Sequence, residues 1–63
     1  MTLAEALQRA SELGIEVRIA KPASRAAALD MEHCFTEHWS DHGQSVEAAT
    51  IRVIERVIKR SNP

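Results

Sequence analysis

The chain has 63 residues, among them eight Lys or Arg, nine Asp or Glu and one cysteine, and its formal net charge is −1. This near-neutral charge argues against a general nucleic-acid coat or a protein that binds anionic membranes, since both carry a basic excess. A chain this short forms one domain, residues 1–63, and buries only about 60% of its unfolded surface. Small folds usually need a disulfide, a metal or a partner chain, and one cysteine cannot form an intrachain disulfide. We therefore expect self-association, as an intertwined homodimer.

The composition also predicts where the protein is found. No apolar run approaches the roughly 18 residues that span a bilayer. The first residues lack the basic region and the apolar run of a secretory signal. With a lone cysteine, these features predict a cytoplasmic protein with no membrane partner.

The first predicted element is a helix over residues 1–13. Thr2 is a plausible N-cap, leucine and alanine recur at helical spacing, and Gly14 ends the pattern. The next residues, Ile15–Ile19, alternate apolar and charged side chains, which is typical of a short half-buried strand. The sequence offers no second strand, so we expect this one to pair with the same segment of another subunit.

Two more helices are predicted, over residues 24–41 and 45–60. Ser24 is a possible N-cap of the second helix, Gly43 can end it, and Ser45 can cap the third. One face of the second helix carries Ala28, Met31, Phe35, His38 and Trp39. The predicted fold class is therefore mainly α, with three helices and one short strand after the first.

The chemistry-bearing residues of the second predicted helix are Cys34, His38 and His42. Their i, i+4, i+8 spacing puts thiol and imidazole groups, which are zinc ligands, on one helix face. The first and last would lie about 12 Å apart, too far to surround one ion. Cys34 and His38 could form a nucleophile pair, but nothing marks an oxyanion hole or a substrate cleft. We expect no metal, no cofactor and no enzymatic activity.

The order of elements resembles that of the ribbon-helix-helix repressors of the Arc type, over about residues 15–60. The resemblance rests on the strand at Ile15–Ile19 and on the turn Gly43-Gln44-Ser45 that opens the last helix. It implies that paired strands from two subunits enter the DNA major groove, with Glu16 and Arg18 facing outward. It also implies that the start of the last helix, at Ser45, offers N–H groups to a phosphate.

Two function hypotheses follow. In the first, the protein is a dimeric DNA-binding transcriptional regulator that contacts double-stranded DNA through Arg18, Lys21, Arg25 and Ser45. In the second, it is a small helical protein-interaction module, an accessory or inhibitor protein that docks on a larger protein through Phe35 and Trp39. The basic residues of the last helix are interpreted as a solvated face that pairs with Glu47 and Glu55; they are Arg52, Arg56, Lys59 and Arg60.

Overall fold

The computed structural model describes residues 1–21, 24–39 and 43–61, without the side chain of residue 61. In this part of the chain, two helices enclose three strands in chain order: α1 (Leu3–Leu13), β1 (Glu16–Ala20), β2 (Arg25–Leu29), β3 (Cys34–His38) and α2 (Val46–Ser61). The strands form one antiparallel sheet in the order β1-β2-β3. Both helices pack on one side of this sheet, the helix side, and the other side is the open face.

The prediction of a mainly α fold with three helices and one strand is wrong. Residues expected to form a helix over 24–41 instead supply the antiparallel pair β2 and β3, in a register that places Ala28 opposite Phe35. The alanines of β2 favour a helix when taken alone. Pairing with strands on both sides and burial against the helices override that preference, as tertiary context commonly does.

A turn built on Asp30 joins β2 to β3. One carboxylate oxygen, Oδ1, accepts the backbone N–H of Glu32 at 2.8 Å and that of His33 at 2.7 Å. The Asp30 N–H donates to the carbonyl of His33 at 2.9 Å. Because the side chain satisfies two backbone donors, it stabilises a reversal of the chain where a helix was expected.

The strand predicted at Ile15–Ile19 lies at Glu16–Ala20, and its partner was not foreseen. β1 pairs with β2 of the same chain, in a register that runs from Glu16 opposite Leu29 to Ala20 opposite Arg25. Ser24, expected to cap a helix, lies instead in the turn just before β2, with φ +52°, and donates its N–H to the carbonyl of Lys21 at 3.1 Å. The premise that β1 needs a second subunit to complete any sheet is therefore wrong.

The core is small and rich in alanine. On β2, Ala26 and Ala28 point to the helix side and are fully buried, whereas Ala27 lies on the open face. Small side chains at the middle of the sheet let a helix lie close to it. The largest fully buried side chains all come from α2: Thr50, Val53, Ile54 and Val57.

The helix ends follow local signals. Thr2 and Glu5 form a capping box at the start of α1, and Gly14 ends that helix with φ +71°. Ser45 caps α2, because its hydroxyl oxygen accepts the backbone N–H of Ala48 at 3.1 Å.

Candidate interaction surface

Three of the four residues predicted to contact DNA lie around the β1–β2 connection. Arg18 and Arg25 are exposed on the open face of the sheet, and Lys21 is exposed just after β1. Ser45 lies at the start of α2, which packs on the opposite side of the sheet. The structure therefore brings Arg18, Lys21 and Arg25 together and leaves Ser45 out of that surface.

An ion pair reduces the positive charge of the open face. Arg18 forms an ion pair with Glu16, two residues earlier on the same strand. The other residues of that face include Ala27 and Leu29 on β2 and Thr36 and His38 on β3. Among the described residues, Arg25 and Lys21 are the two basic residues of this surface that form no ion pair with a carboxylate.

A denser polar cluster lies on the helix side, between β3 and α2. The Glu37 carboxylate, whose side chain is only 14% exposed, lies 3.4 Å from Arg56 Nη1 and 3.9 Å from Arg52 Nε. Gln44 donates from Nε2 to the same carboxylate at 3.2 Å. Partial burial strengthens these interactions relative to those of a fully solvated pair, so Glu37 fixes both arginines beside β3.

An aromatic ring extends this cluster along β3. The Arg56 guanidinium carbon lies 4.8 Å from the centroid of the Phe35 ring, within the range of a cation–π contact. His33, the residue before β3, stacks with Phe35, with ring centroids 6.3 Å apart and an interplanar angle of 9°. We call Phe35, Glu37, Arg52 and Arg56, with the outer edge of β3, the β3–α2 face.

The two residues predicted to bind a protein partner have different environments. Phe35 and Trp39 are both half-buried and pack against the core. Phe35 belongs to the β3–α2 face. Trp39 joins two elements, since its N–H donates to the Ser24 carbonyl at 2.9 Å and its carbonyl accepts the Gln44 N–H at 3.2 Å. Its position indicates a structural role at the junction of β2, β3 and α2.

Sequence reasoning missed the partner of the α2 arginines. Arg52 and Arg56 were expected to pair with glutamates of their own helix, but their ion pairs run to Glu37 on β3. The helical interpretation of residues 24–41 placed Glu37 on the outer side of a helix. No short-range signal connects it to Arg56, which is 19 residues away.

Cys34 and His38, which a helix would place close together, lie apart because they are on a strand. Both residues lie on the open face of β3, and four residues of strand separate them by about 13 Å. His42, the third residue of that group, lies outside the described residues. Within those residues no group of three or more His, Cys, Asp or Glu side chains is arranged to hold a metal ion.

At the opposite end of the sheet, a depression of about 500 Å³ lies between the end of α1, the β2–β3 turn and Arg60. Its walls include Asp30 and His33. The Nδ1 atom of His33 is buried and makes no hydrogen bond with the described part of the chain, although it lies 3.4 Å from Asp30 Oδ1. The depression is open to solvent on one side, unlike the enclosed clefts that bind small molecules. We therefore assign the candidate site to the β3–α2 face.

Comparison of this chain with known protein families, with curated proteins and with solved structures finds no match. Within residues 1–21, 24–39 and 43–61, neither helix is both long and apolar enough to cross a membrane.

Proposed function

We propose that this protein is a small protein-interaction module whose β3–α2 face binds an extended acidic segment of a larger protein. The observation that carries the proposal is the placement of Arg56. Its guanidinium is held by the Glu37 carboxylate and the Phe35 ring, yet the side chain remains 52% exposed. An arginine fixed on an aromatic ring loses little side-chain entropy on binding, which is one reason that arginine and aromatic residues are common in hot spots.

The charge of this face favours an acidic partner. Arg52 and Arg56 share a single carboxylate, that of Glu37, so the cluster retains a net positive charge. Lys59 and Arg60 are exposed further along α2, at helical spacing that continues the same stripe. A segment with alternating carboxylates would find complementary charges along the length of this helix.

The outer edge of β3 favours an extended partner. Within the described residues, β3 pairs only with β2, so its other side presents unpaired backbone groups. An extended peptide can add to such an edge through main-chain hydrogen bonds, and its side chains then supply the specificity. Backbone pairing and charge complementarity would act on the same bound segment.

The test uses two labelled synthetic peptides, one alternating Glu and Val and the other alternating Lys and Val. Fluorescence anisotropy at low salt, about 50 mM, should show binding of the acidic peptide to the full chain and none of the basic one. Arg56→Glu should weaken binding of the acidic peptide at least about tenfold, because a charge in contact with the ligand is reversed.

A matched control separates this site from overall charge. Arg9 on α1 has a side chain 50% exposed and forms an ion pair with Glu12, so Arg9→Glu makes the same charge change at a distant position. It should leave the affinity for the acidic peptide within about twofold of the parent chain. Absence of acidic-peptide binding at millimolar protein, or an equal loss in both variants, would overturn the proposal.

DNA binding is the second candidate, and the shared placement of Arg18, Lys21 and Arg25 favours it. The pairing of Glu16 with Arg18 weighs against it, because this carboxylate would be brought near phosphates. It predicts that a labelled DNA duplex binds in the same assay, that binding weakens steeply with salt, and that Arg18→Ala abolishes it. That set of results would favour this function over peptide binding.

A further inference from the structure

β1 forms the second edge of the sheet. Within the described residues it pairs only with β2, along a register that is continuous from Glu16 to Ala20. Its other side presents backbone N–H and C=O groups in a regular row. Strand edges are usually protected by a proline, a bulge or an inward-pointing charge. Between Glu16 and Ala20, β1 has no proline, no bulge and no inward-pointing charge, and its outward charges, on Glu16 and Arg18, have opposite signs, so this edge is suited to accept a strand of complementary charge.

Apolar side chains beside this edge are incompletely covered. Ile19 lies on the helix side of β1, opposite the buried Ala26, and yet 48% of its surface is exposed. Leu7, on the helix that packs beside β1, is 43% exposed. A strand added to the edge would place further side chains on the helix side and cover Ile19.

The sequence of β1 is complementary to itself in one symmetric register. A twofold axis perpendicular to the sheet pairs β1 antiparallel with its copy and keeps each residue on its own face. With the axis at Val17, Ile15 lies opposite the partner's Ile19 and Glu16 lies opposite the partner's Arg18. With the axis at Glu16 or at Arg18, that residue faces its own copy, and like charges directly opposite each other are destabilising.

We propose that two copies of this chain associate through β1, antiparallel and centred on Val17, to form a continuous six-stranded sheet. Two opposite-charge pairs, Glu16 with the partner's Arg18 and the reverse, lie on the open face. The isoleucines and Val17 pack on the helix side. Glu16 and Arg18 already pair within one chain, so both side chains are placed at the edge where the partner's charges would lie. This pairing uses β1, whereas the β3–α2 face lies at the other edge of the sheet. The dimer proposal is therefore tested independently of peptide binding.

Single charge reversals and their mixture test this register. In Glu16→Arg, two arginines face each other at both pairs, and in Arg18→Glu two glutamates do. Each variant alone should raise the dimer dissociation constant at least about tenfold, as measured by sedimentation equilibrium of the full chain. Mixing the two variants places opposite charges at both pairs again. The mixture should form a heterodimer within about threefold of the parent affinity, detectable by native mass spectrometry.

Circular dichroism and two control variants on α1 check that a loss of dimer comes from the β1 pairing. Far-UV circular dichroism shows whether each variant is folded, and the exposed Arg9–Glu12 pair of α1 provides the reversals Arg9→Glu and Glu12→Arg outside the proposed strand pairing. These control variants should dimerise like the parent. A parent chain that is monomeric at several hundred micromolar overturns the proposal. So does a dimer that persists in both single variants, since it would use another surface. Loss of dimer in both variants without recovery on mixing would show that the pair within one chain is responsible, and would also overturn it.

Discussion

Neighbouring alanines in the middle of β2 give a direct test of the strand that sequence patterns missed. Ala28 is fully buried on the helix side, between Val17 on β1 and Phe35 on β3. Ala28→Val adds two methyl groups where no free surface remains, and overpacking of this kind costs about 1–3 kcal/mol. Ala27 lies on the open face, so Ala27→Val adds a β-branched side chain where it is neutral or favourable by up to about 1 kcal/mol.

These free energies correspond to measurable melting shifts. A domain of this size loses about 4–8 °C in Tm for each kcal/mol. Ala28→Val should therefore melt about 4–24 °C below the parent chain, while Ala27→Val should melt within a few degrees of it or above. Thermal and urea denaturation followed by circular dichroism measure both. A folded chain of this length has about 3–9 kcal/mol of stability, so the loss in Ala28→Val is a large fraction of the total, and its melting curve is started in the cold.

The outcome that would refute this reasoning is equal destabilisation by both substitutions. In a helix, positions 26 and 28 would lie about 200° apart around the axis, so valine at these two positions would not have the same effect. Ala26→Val provides the internal check, because Ala26 shares the burial and the face of Ala28. It should behave like Ala28→Val and unlike the variant at position 27.

Two further predictions concern the helix starts. Ser45→Ala removes the acceptor of the Ala48 N–H and should lower the free energy of unfolding by about 1 kcal/mol in urea denaturation, with Ser45→Asp close to the parent. A hydrogen bond from the Thr2 backbone N–H holds the pKa of Glu5 below its ordinary value. Ionised Glu5 therefore favours the folded state above its ordinary pKa, and this contribution is lost as the pH falls through the lower folded value. Glu5→Gln should melt below the parent at neutral pH, and the difference should shrink on acidification.

Each of these predictions has a control. Ser11 has an exposed side chain on α1, and Ser11→Ala should leave the urea midpoint unchanged or raise it slightly, because alanine is the better helix former, whereas Ser45→Ala lowers it. For the acidic residue, the comparison is the same pair of proteins, parent and Glu5→Gln, melted at neutral and at acidic pH. A melting difference for Glu5→Gln that is constant across the acid range would contradict the assigned hydrogen bond.

The parts of the fold that sequence patterns predict are those with local causes. Helical periodicity and the caps at Thr2, Gly14 and Ser45 act within a few residues, and α1 and α2 begin and end at or within two residues of the predicted positions. The Asp30 turn is also a local signal, since aspartate commonly accepts backbone N–H groups in turns. It lay inside an alanine-rich stretch whose helical preference was the stronger pattern.

The parts that sequence patterns miss depend on pairing between distant segments. The alanines of β2 become strand residues because β1 and β3 supply hydrogen bonds on both sides, and no window of sequence contains all three strands. The candidate site has the same origin. Glu37 meets Arg52 and Arg56 only after β3 and α2 have packed together, so its role was hidden once residues 24–41 were interpreted as a helix.

The packing of α1 against α2 has a consequence for the order of folding during synthesis. The sheet lies between these helices in the chain, and its hairpins can form from neighbouring residues as they emerge. The first helix, however, buries Ala6 and Ala10 in a core whose largest members belong to the last helix. The core forms only after α2 has left the ribosome. The contact between α1 and α2 joins the two ends of the chain, and all three strands lie in the loop between them. A nascent chain stalled before Val46 would therefore lack the side chains that cover the helix side of the sheet.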